Sequence, residues 1–338
     1  MDATKELEKL AKQAGRRKQI HQSMVEQMAK CGVMAEYRYI AGIRSRPKSF
    51  LICGTAVDDA TDIDLNKKIS TGELEAEDVL LDRARDVIEH YPDKEELQPE
   101  DDEKDKPIEQ IIGDTKDKAV RLVKAHHGEV APVIQPAQVH RRFSINLDKW
   151  LRQRAKEFHE QAEQATGAFK RALDLQGRYL NVAAREGLDF VGEQDIVEKI
   201  AVSSETSHLV IRDTKTSKKT PSSSIADESH QLSAYSVASY VLDGKVPDAV
   251  KLDYLIDLKS GTKTATFESK RDDKDVQKYL NRLVPVIASF QSGIFLPAPD
   301  AAWWCDERYC AFHSICPHVR HPETTIGSAK ELVQIEGV

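Results

Sequence analysis

Two periodicities divide the chain. Up to about residue 90, apolar residues recur at helical spacing. A short amphipathic helix is expected over the first 20 residues, ending in Arg16-Arg17-Lys18, and a second over roughly 22–40, carrying Cys31. Cys53-Gly54-Thr55-Ala56-Val57 opens a third, with Asp58 and Asp59 in its first turns, and helical pattern continues through Leu80-Leu81 and Val87-Ile88. From about 138 the period drops to two: Val139, Arg141, Phe143 and Ile145 alternate as in a strand. The seam Leu151, Ala155, Phe158, Ala162, Ala165, Phe169, Ala172 then predicts one long helix over about 147–180, laid on the core or folded as a hairpin arm.

Strand-like runs follow at 188–197 and 208–214, separated by the polar stretch 203–207. A polar loop at 216–226 leads to a helix at about 227–242. Val250, Leu252, Tyr254 and Ile256 alternate as a further strand, which 264–269 can join through Lys259-Ser260-Gly261. A helix at about 272–292 precedes a cysteine-rich tail. The pattern is mixed α/β. It divides into a helical region (1–137), a sheet-forming core with an inserted long helix (138–260), and a final helix with the cysteine segment (261–338).

Composition narrows the classes. The chain has 338 residues, 40% hydrophobic and 31% charged, enough apolar material for a buried core. No stretch approaches the ~20 apolar residues of a spanning helix and the first residues hold no apolar signal core, so a soluble, cytoplasmic protein without membrane contact is expected. A net charge of −7 argues against a generic polyanion binder but not against a nuclease, whose metal-binding carboxylates add negative charge. Residues 93–106 hold eight acids against three lysines and read as a solvated loop. Five cysteines, an odd number, do not form a disulfide framework.

Three groups of residues carry candidate chemistry. Asp213 and Lys215 share one face of an extended segment, and if Asp195 arrives from the neighbouring strand, the site gains a second carboxylate, with the Thr214 carbonyl as a fourth contributor. Such oxygen donors suit Mg²⁺ or Mn²⁺. Gln231 and Tyr235 form an i,i+4 pair that can hold a phosphodiester, or Tyr235 is simply a core aromatic. In the tail, Cys305, Cys310 and Cys316 are spaced C-x4-C-x5-C among aromatics. Three soft ligands need a fourth, from Cys31 or Cys53, to hold an iron–sulfur cubane or a structural zinc.

Taken in order, these residues resemble the RecB-like branch of the PD-(D/E)XK nuclease superfamily, and more narrowly its iron–sulfur nucleases, which include CRISPR-adaptation exonucleases and phage-encoded relatives. The matching elements are Cys31 before Tyr37-Arg38-Tyr39, the Gly54-Thr55-Ala56-Val57-Asp58 helix start, Gly192-x-x-Asp195, Asp213-x-Lys215, Gln231-x3-Tyr235 and the three terminal cysteines. The resemblance implies a restriction-endonuclease-like core, a central mixed sheet flanked by helices, with Asp195, Asp213 and Lys215 at a one- or two-cation site that Asp58 faces. It implies a 4Fe–4S cluster on Cys31, Cys305, Cys310 and Cys316. Aspartate stands at 58 where relatives often carry histidine, C-x4-C replaces a common C-x2-C, and His140 occupies the place of a common strand glutamate.

The expected activity is metal-dependent DNA hydrolysis, as an exonuclease on single-stranded ends in recombination, repair or CRISPR adaptation. Asp195, Asp213, Lys215, Gln231 and Tyr235 form the catalytic set. Asp58, Asp195, Asp213 and Thr214 hold the metal. Arg16, Arg17, Lys18, Arg38, Lys218 and Lys219 are candidate phosphate contacts, and a recombination or CRISPR-adaptation protein is a candidate partner. The rival expectation is a non-catalytic iron–sulfur protein that keeps the fold to bind DNA or a recombination partner.

Overall fold

The longest strand, β3 (Leu188–Ala201), organises the sheet in the computed structural model, which describes residues 18–92, 94–203 and 206–319. One edge of β3 is taken by the antiparallel β2 (Pro136–Asn146). The other edge is shared end to end. β1 (Lys18–His21) runs parallel to residues 188–191, and β4 (Ser207–Ser217) runs antiparallel to residues 196–201. β5 (Ala249–Leu258) adds parallel to β4, and β6 (Gly261–Ser269) closes the far edge antiparallel to β5. The product is a six-stranded mixed sheet of order β1-β3-β4-β5-β6, with β2 branching from β3.

Helices cover both faces. On one, Phe143, Phe190, Val197, Ile211 and Val250 of the sheet pack against α1 (Gln22–Lys30), the hairpin of α6 (Asp148–Glu163) and α7 (Gly167–Glu186), α9 (His230–Leu242) and α10 (Asp273–Ser292). On the other, Ile196 and Leu255 meet Ile52 and Leu65 of α3 (Ser49–Thr71), Leu80 and Ile88 of α4 (Glu77–Glu89), and Ile111 and Leu122 of α5 (Ile108–Ala125). Each such side chain contributes about 1.5–3 kcal/mol on burial. The short helices α2 (Gly32–Ala35) and α8 (Ile225–Glu228) are connectors. Among the described residues no helix is long and apolar enough to cross a membrane.

Several expected boundaries move. Lys18, Gln19 and Ile20 belong to a strand, not to a terminal helix, because pairing with β3 buries Ile20 in the core; residues 1–17, with Arg16 and Arg17, lie outside the described set. The helix expected over 22–40 breaks at Cys31, which is extended (φ −164°, ψ 113°), and ends in a π-helical turn, Glu36–Ile40. α3 begins at Ser49 rather than at Cys53. The seam over 147–180 is two helices, since the chain turns back at an extended Thr166 and leaves Phe169 exposed. α9 starts at His230, where the Ser229 hydroxyl accepts from the Leu232 N–H.

β3 and β4 pair only from Ala201↔Ser207 to Ile196↔Arg212. Past that pair they diverge, β3 staying with β2 and β4 with β5. The next residues on the two strands are Asp195 and Asp213. A fork in the hydrogen-bond ladder therefore sets two carboxylates side by side.

Candidate active site

Four side chains meet in the fork. The Lys215 ammonium lies 2.6 Å from Asp213 Oδ2, as expected for residues two apart on one strand face. The Tyr235 hydroxyl, from α9, lies 3.1 Å from Asp195 Oδ1 and 3.4 Å from Asp213 Oδ1, and accepts from Gln231 Nε2 at 2.6 Å. Tyr235 is buried, so its hydroxyl faces the carboxylates and not solvent. Its backbone is fixed from below: Gln194 donates to the Tyr235 carbonyl at 2.9 Å and accepts from Arg141, which in turn clasps Asp243 at 2.8 and 2.9 Å. Gly192 is required three residues before Asp195, because a Cβ there would meet the Phe143 ring at 2.5 Å.

A second cluster adjoins the first. Asp58 and Asp62, one helical turn apart on α3, present carboxylates on the same face. The β2–β3 ladder skips His140 between Val139↔Ile196 and Arg141↔Gln194, and His140 takes a left-handed φ of 51°. Its imidazole is thereby turned to bridge Asp62 and Glu193, while Arg142 holds the other Glu193 oxygen at 2.6 Å. One ligand atom from each of Asp58, Asp62 and His140 falls within 4.8 Å of the others. Sequence reasoning singled out Asp58 and His140 but missed Asp62 and Glu193; the Asp-x3-Asp spacing on an expected helix was the available signal for Asp62.

The charges in these clusters oppose one another. Burial, then the neighbouring Asp213, raises the Asp195 carboxyl well above the usual range. Burial raises Asp58, with Asp213 and Glu193 adding to it against His140 and Lys215. Asp62 is pushed up to about 7, by burial first and Asp58 second. Burial alone would pull Lys215 down, but Asp213 and Asp195 outweigh it and raise it. Several half-buried or buried carboxyls around one ammonium form an excess of negative charge, and hard oxygen donors so crowded fit a divalent cation such as Mg²⁺ or Mn²⁺.

The cysteines separate cleanly. Cys31, Cys305, Cys310 and Cys316 all line one cavity of about 560 Å³, with Tyr37, Trp304 and Phe312 in its wall. Gly32 permits this closure: a Cβ would meet the Leu296 backbone at 2.8 Å, and the Gly32 N–H donates to the Leu296 carbonyl at 2.7 Å. Cys53 is buried in the helical core on the other side, its thiol pushed up to about 11 by burial. Thus four thiols share the cavity with His313, His318 and Asp300, and Cys53 is not among its lining residues.

The candidate phosphate contacts scatter. Lys18 pairs with Glu186 at 2.7 Å on the first strand. Lys218 is held by Glu100 and Asp102 of the acidic segment, so that segment is not merely solvated. Lys219 is exposed and Arg38 lies over the Tyr39 ring, 5.7 Å from its centroid.

A mixed sheet whose ladder forks at two carboxylates and a lysine, with helices on both faces, is a restriction-endonuclease-like arrangement. The sequence model of the PD-(D/E)XK nuclease superfamily matches residues 19–317, and the chain belongs to that superfamily. Its members are typically nucleases that use Mg²⁺ or Mn²⁺, which points to a metal-dependent nuclease with DNA as its substrate. No curated protein matches the chain. Among solved structures it is similar to one titled "Crystal structure of SSO0001", at 12% identity over 93% of each chain with a TM-score of 0.33.

Proposed function

We propose that the chain is a DNA exonuclease acting on single-stranded ends, in recombination, repair or CRISPR adaptation. The observation that carries the hydrolytic reading is the fork that sets Asp195 and Asp213 beside Lys215. Asp195, Asp213 and the Thr214 carbonyl would hold the divalent cation, with Asp58 as a further ligand from α3. Once bound, the cation supplies Lewis acidity and lowers the pKa of water at the site. Lys215 orients the attacking water and offsets charge developing on the phosphoryl group. Tyr235 and Gln231 hold Asp195 in place. The preference for single-stranded ends follows the resemblance to RecB-like nucleases.

In the same reading Cys31, Cys305, Cys310 and Cys316 hold a 4Fe–4S cluster that ties the first helices to the tail. Four thiols around one cavity suit it. A single zinc with Zn–S of about 2.3 Å would need sulfurs about 3.8 Å apart, and among the described residues no three cysteine sulfurs fall within 4.8 Å of one another.

The test is cleavage of end-labelled single- and double-stranded DNA with Mn²⁺ or Mg²⁺, by anaerobically prepared wild type and Lys215→Ala. Cation-dependent shortening from one end, lost in the variant, is the expected result. A folded protein inert with every cation would overturn the enzyme and leave a DNA- or partner-binding role.

A further inference from the structure

The segment between α2 and α3 is unlike the rest of this acidic chain. Residues 37–50 contain Arg38, Arg44, Arg46 and Lys48 and no acid. Both ends of the segment are fastened to the cysteine tail. Tyr37 packs edge-on to Phe312, centroids 5.5 Å apart, and the Lys48 ammonium donates to the Arg308 carbonyl at 2.9 Å. Beside Lys48 the tail presents rings to solvent: Trp303 is 69% exposed and Tyr309 54% exposed, with centroids 5.1 Å apart. Asp306 holds the Arg308 guanidinium at 2.7 Å, and that guanidinium lies over Tyr309, 5.4 Å from its centroid. Two large rings left in water, beside the Lys48 ammonium and on the tail to which the basic segment is fastened, are not explained by core packing.

We infer that Arg44, Arg46 and Lys48 with Trp303 and Tyr309 form a binding track for single-stranded nucleic acid, the cations following phosphates and the rings stacking bases. Every base has a π-face, so exposed rings beside cations bind single strands without reading sequence. In a duplex the bases are already stacked and cannot use the rings. The track also leads to the fork: Lys48 immediately precedes α3, and Asp58 follows ten residues later, about 15 Å along the helix axis. Gly54, between them, lies against Thr216, the residue after Lys215. Lys48 thus joins the ring platform to the helix that carries Asp58. The direction of the track rests on the nuclease reading of the fork; its affinity for single strands does not.

The measurement is fluorescence anisotropy in EDTA, so that no cleavage occurs, with a labelled fifteen-residue oligothymidylate and an abasic strand of about the same length. Wild type, Trp303→Ala/Tyr309→Ala, Trp303→Phe/Tyr309→Phe and Arg44→Ala/Arg46→Ala are compared. The alanine pair is expected to weaken oligothymidylate about tenfold or more while leaving the abasic strand nearly unchanged, with phenylalanine restoring the difference. The arginine pair should weaken both strands and reduce the salt slope by about 1.4, at roughly 0.7 for each single-strand phosphate. Equal affinity of wild type and the alanine pair for oligothymidylate would overturn the track, as would an equal loss on both strands. Ring-dependent binding by a protein that cleaves nothing supports the track and removes the nuclease; cleavage with ring-independent binding does the reverse.

Discussion

The Tyr235 hydroxyl stands between Asp195 and Asp213, 3.1 Å from one carboxylate and 3.4 Å from the other. A phenol has one proton to give, so it can serve only one carboxylate fully at a time. Burial and the two acids raise Tyr235 well above its ordinary value, keeping it protonated throughout the working pH range. It is therefore a fixed donor that holds the crowded pair together and, in the proposed cation site, would set the Asp195 oxygen. Replacing Tyr235 by Phe removes that donor and leaves a buried carboxyl short of a partner, a loss of about 1–3 kcal/mol. Cleavage at limiting Mn²⁺ should fall about tenfold or more, and much of the loss should return at saturating Mn²⁺. A Mn²⁺ titration of cleavage rate by wild type and Tyr235→Phe checks this; an unchanged half-saturation point would show that the tyrosine does not position the ligand.

Cation binding should be proton-linked through α3. Asp62 sits at about 7, above its ordinary value, so it is largely protonated at pH 6 and ionised at pH 8. Asp62 shares the adjoining cluster with Asp58 and His140; a carboxyl that joins the cation there must first lose its proton, so Mn²⁺ affinity should rise with pH through this window, by up to tenfold per pH unit for each proton released. The raised Asp58 acts in the same direction. Calorimetry in buffers of different ionisation enthalpy reads the released protons directly, and Asp62→Asn should release fewer, the raised Asp58, Asp195 and His140 keeping part of the pH dependence. Metal at a hundredfold excess over its Kd should also add about 2.7 kcal/mol of stability to the wild type. A wild-type affinity that does not change between pH 6 and pH 8 would place Asp62 outside the cation site.

The sheet and the fork were largely legible in the sequence, because strands announce themselves by alternation and because Asp213 and Lys215 must share a face once the segment is extended. What was not legible depended on tertiary contact. Ile20 carries no strand pattern of its own; its strand exists because β3 offers an open edge. The seam from Leu151 to Ala172 keeps a helical period across a turn, so periodicity could not locate the break at Thr166. The sequence leaves Tyr235 open between a phosphodiester contact and a core aromatic; the structure buries it with its hydroxyl on the carboxylates, a placement that helical spacing alone does not predict. Glu193 was visible only as a neighbour of Asp195, since its link to Asp62 runs through His140, whose left-handed backbone no local pattern predicts.

The cysteine assignment has its own discriminating experiment. Cys31, Cys305, Cys310 and Cys316 share a cavity, while Cys53 lies in a different core. With the proposed cluster, anaerobically purified wild type should be brown, and a colourless, iron-free protein would remove the cluster. Cys31→Ser or Cys316→Ser should lose colour and iron, and should melt lower because the tail is no longer tied to α2. Cys53→Ser should keep both colour and iron, at a stability cost typical of a polar change in a core. Iron retained in Cys31→Ser together with loss in Cys53→Ser would reverse the assignment of the fourth ligand.

A fully buried histidine outside the clusters predicts how the fold responds to acid. His126 is fully buried at the end of α5, and neither ring nitrogen has a hydrogen-bond partner among the described residues. Burial pushes it down to about 4, against the opposing pull of Asp253 and Asp64. Above pH 6.5 the imidazole is neutral in both folded and unfolded chains, so it costs nothing. Between 6.5 and 4 only the unfolded chain takes up the proton, and stability falls as the pH falls, by at most about 1.4 kcal/mol per pH unit. Raised carboxyls such as Asp62 act in the opposite sense over part of this window, so the wild-type curve alone mixes the two. Subtracting the urea-unfolding curve of His126→Phe, which keeps a ring in the site but cannot be protonated, isolates the histidine. The difference should be flat above pH 6.5 and grow below it; a constant difference from pH 7.5 to pH 4.5 would mean that His126 takes up its proton equally in the folded and unfolded chains.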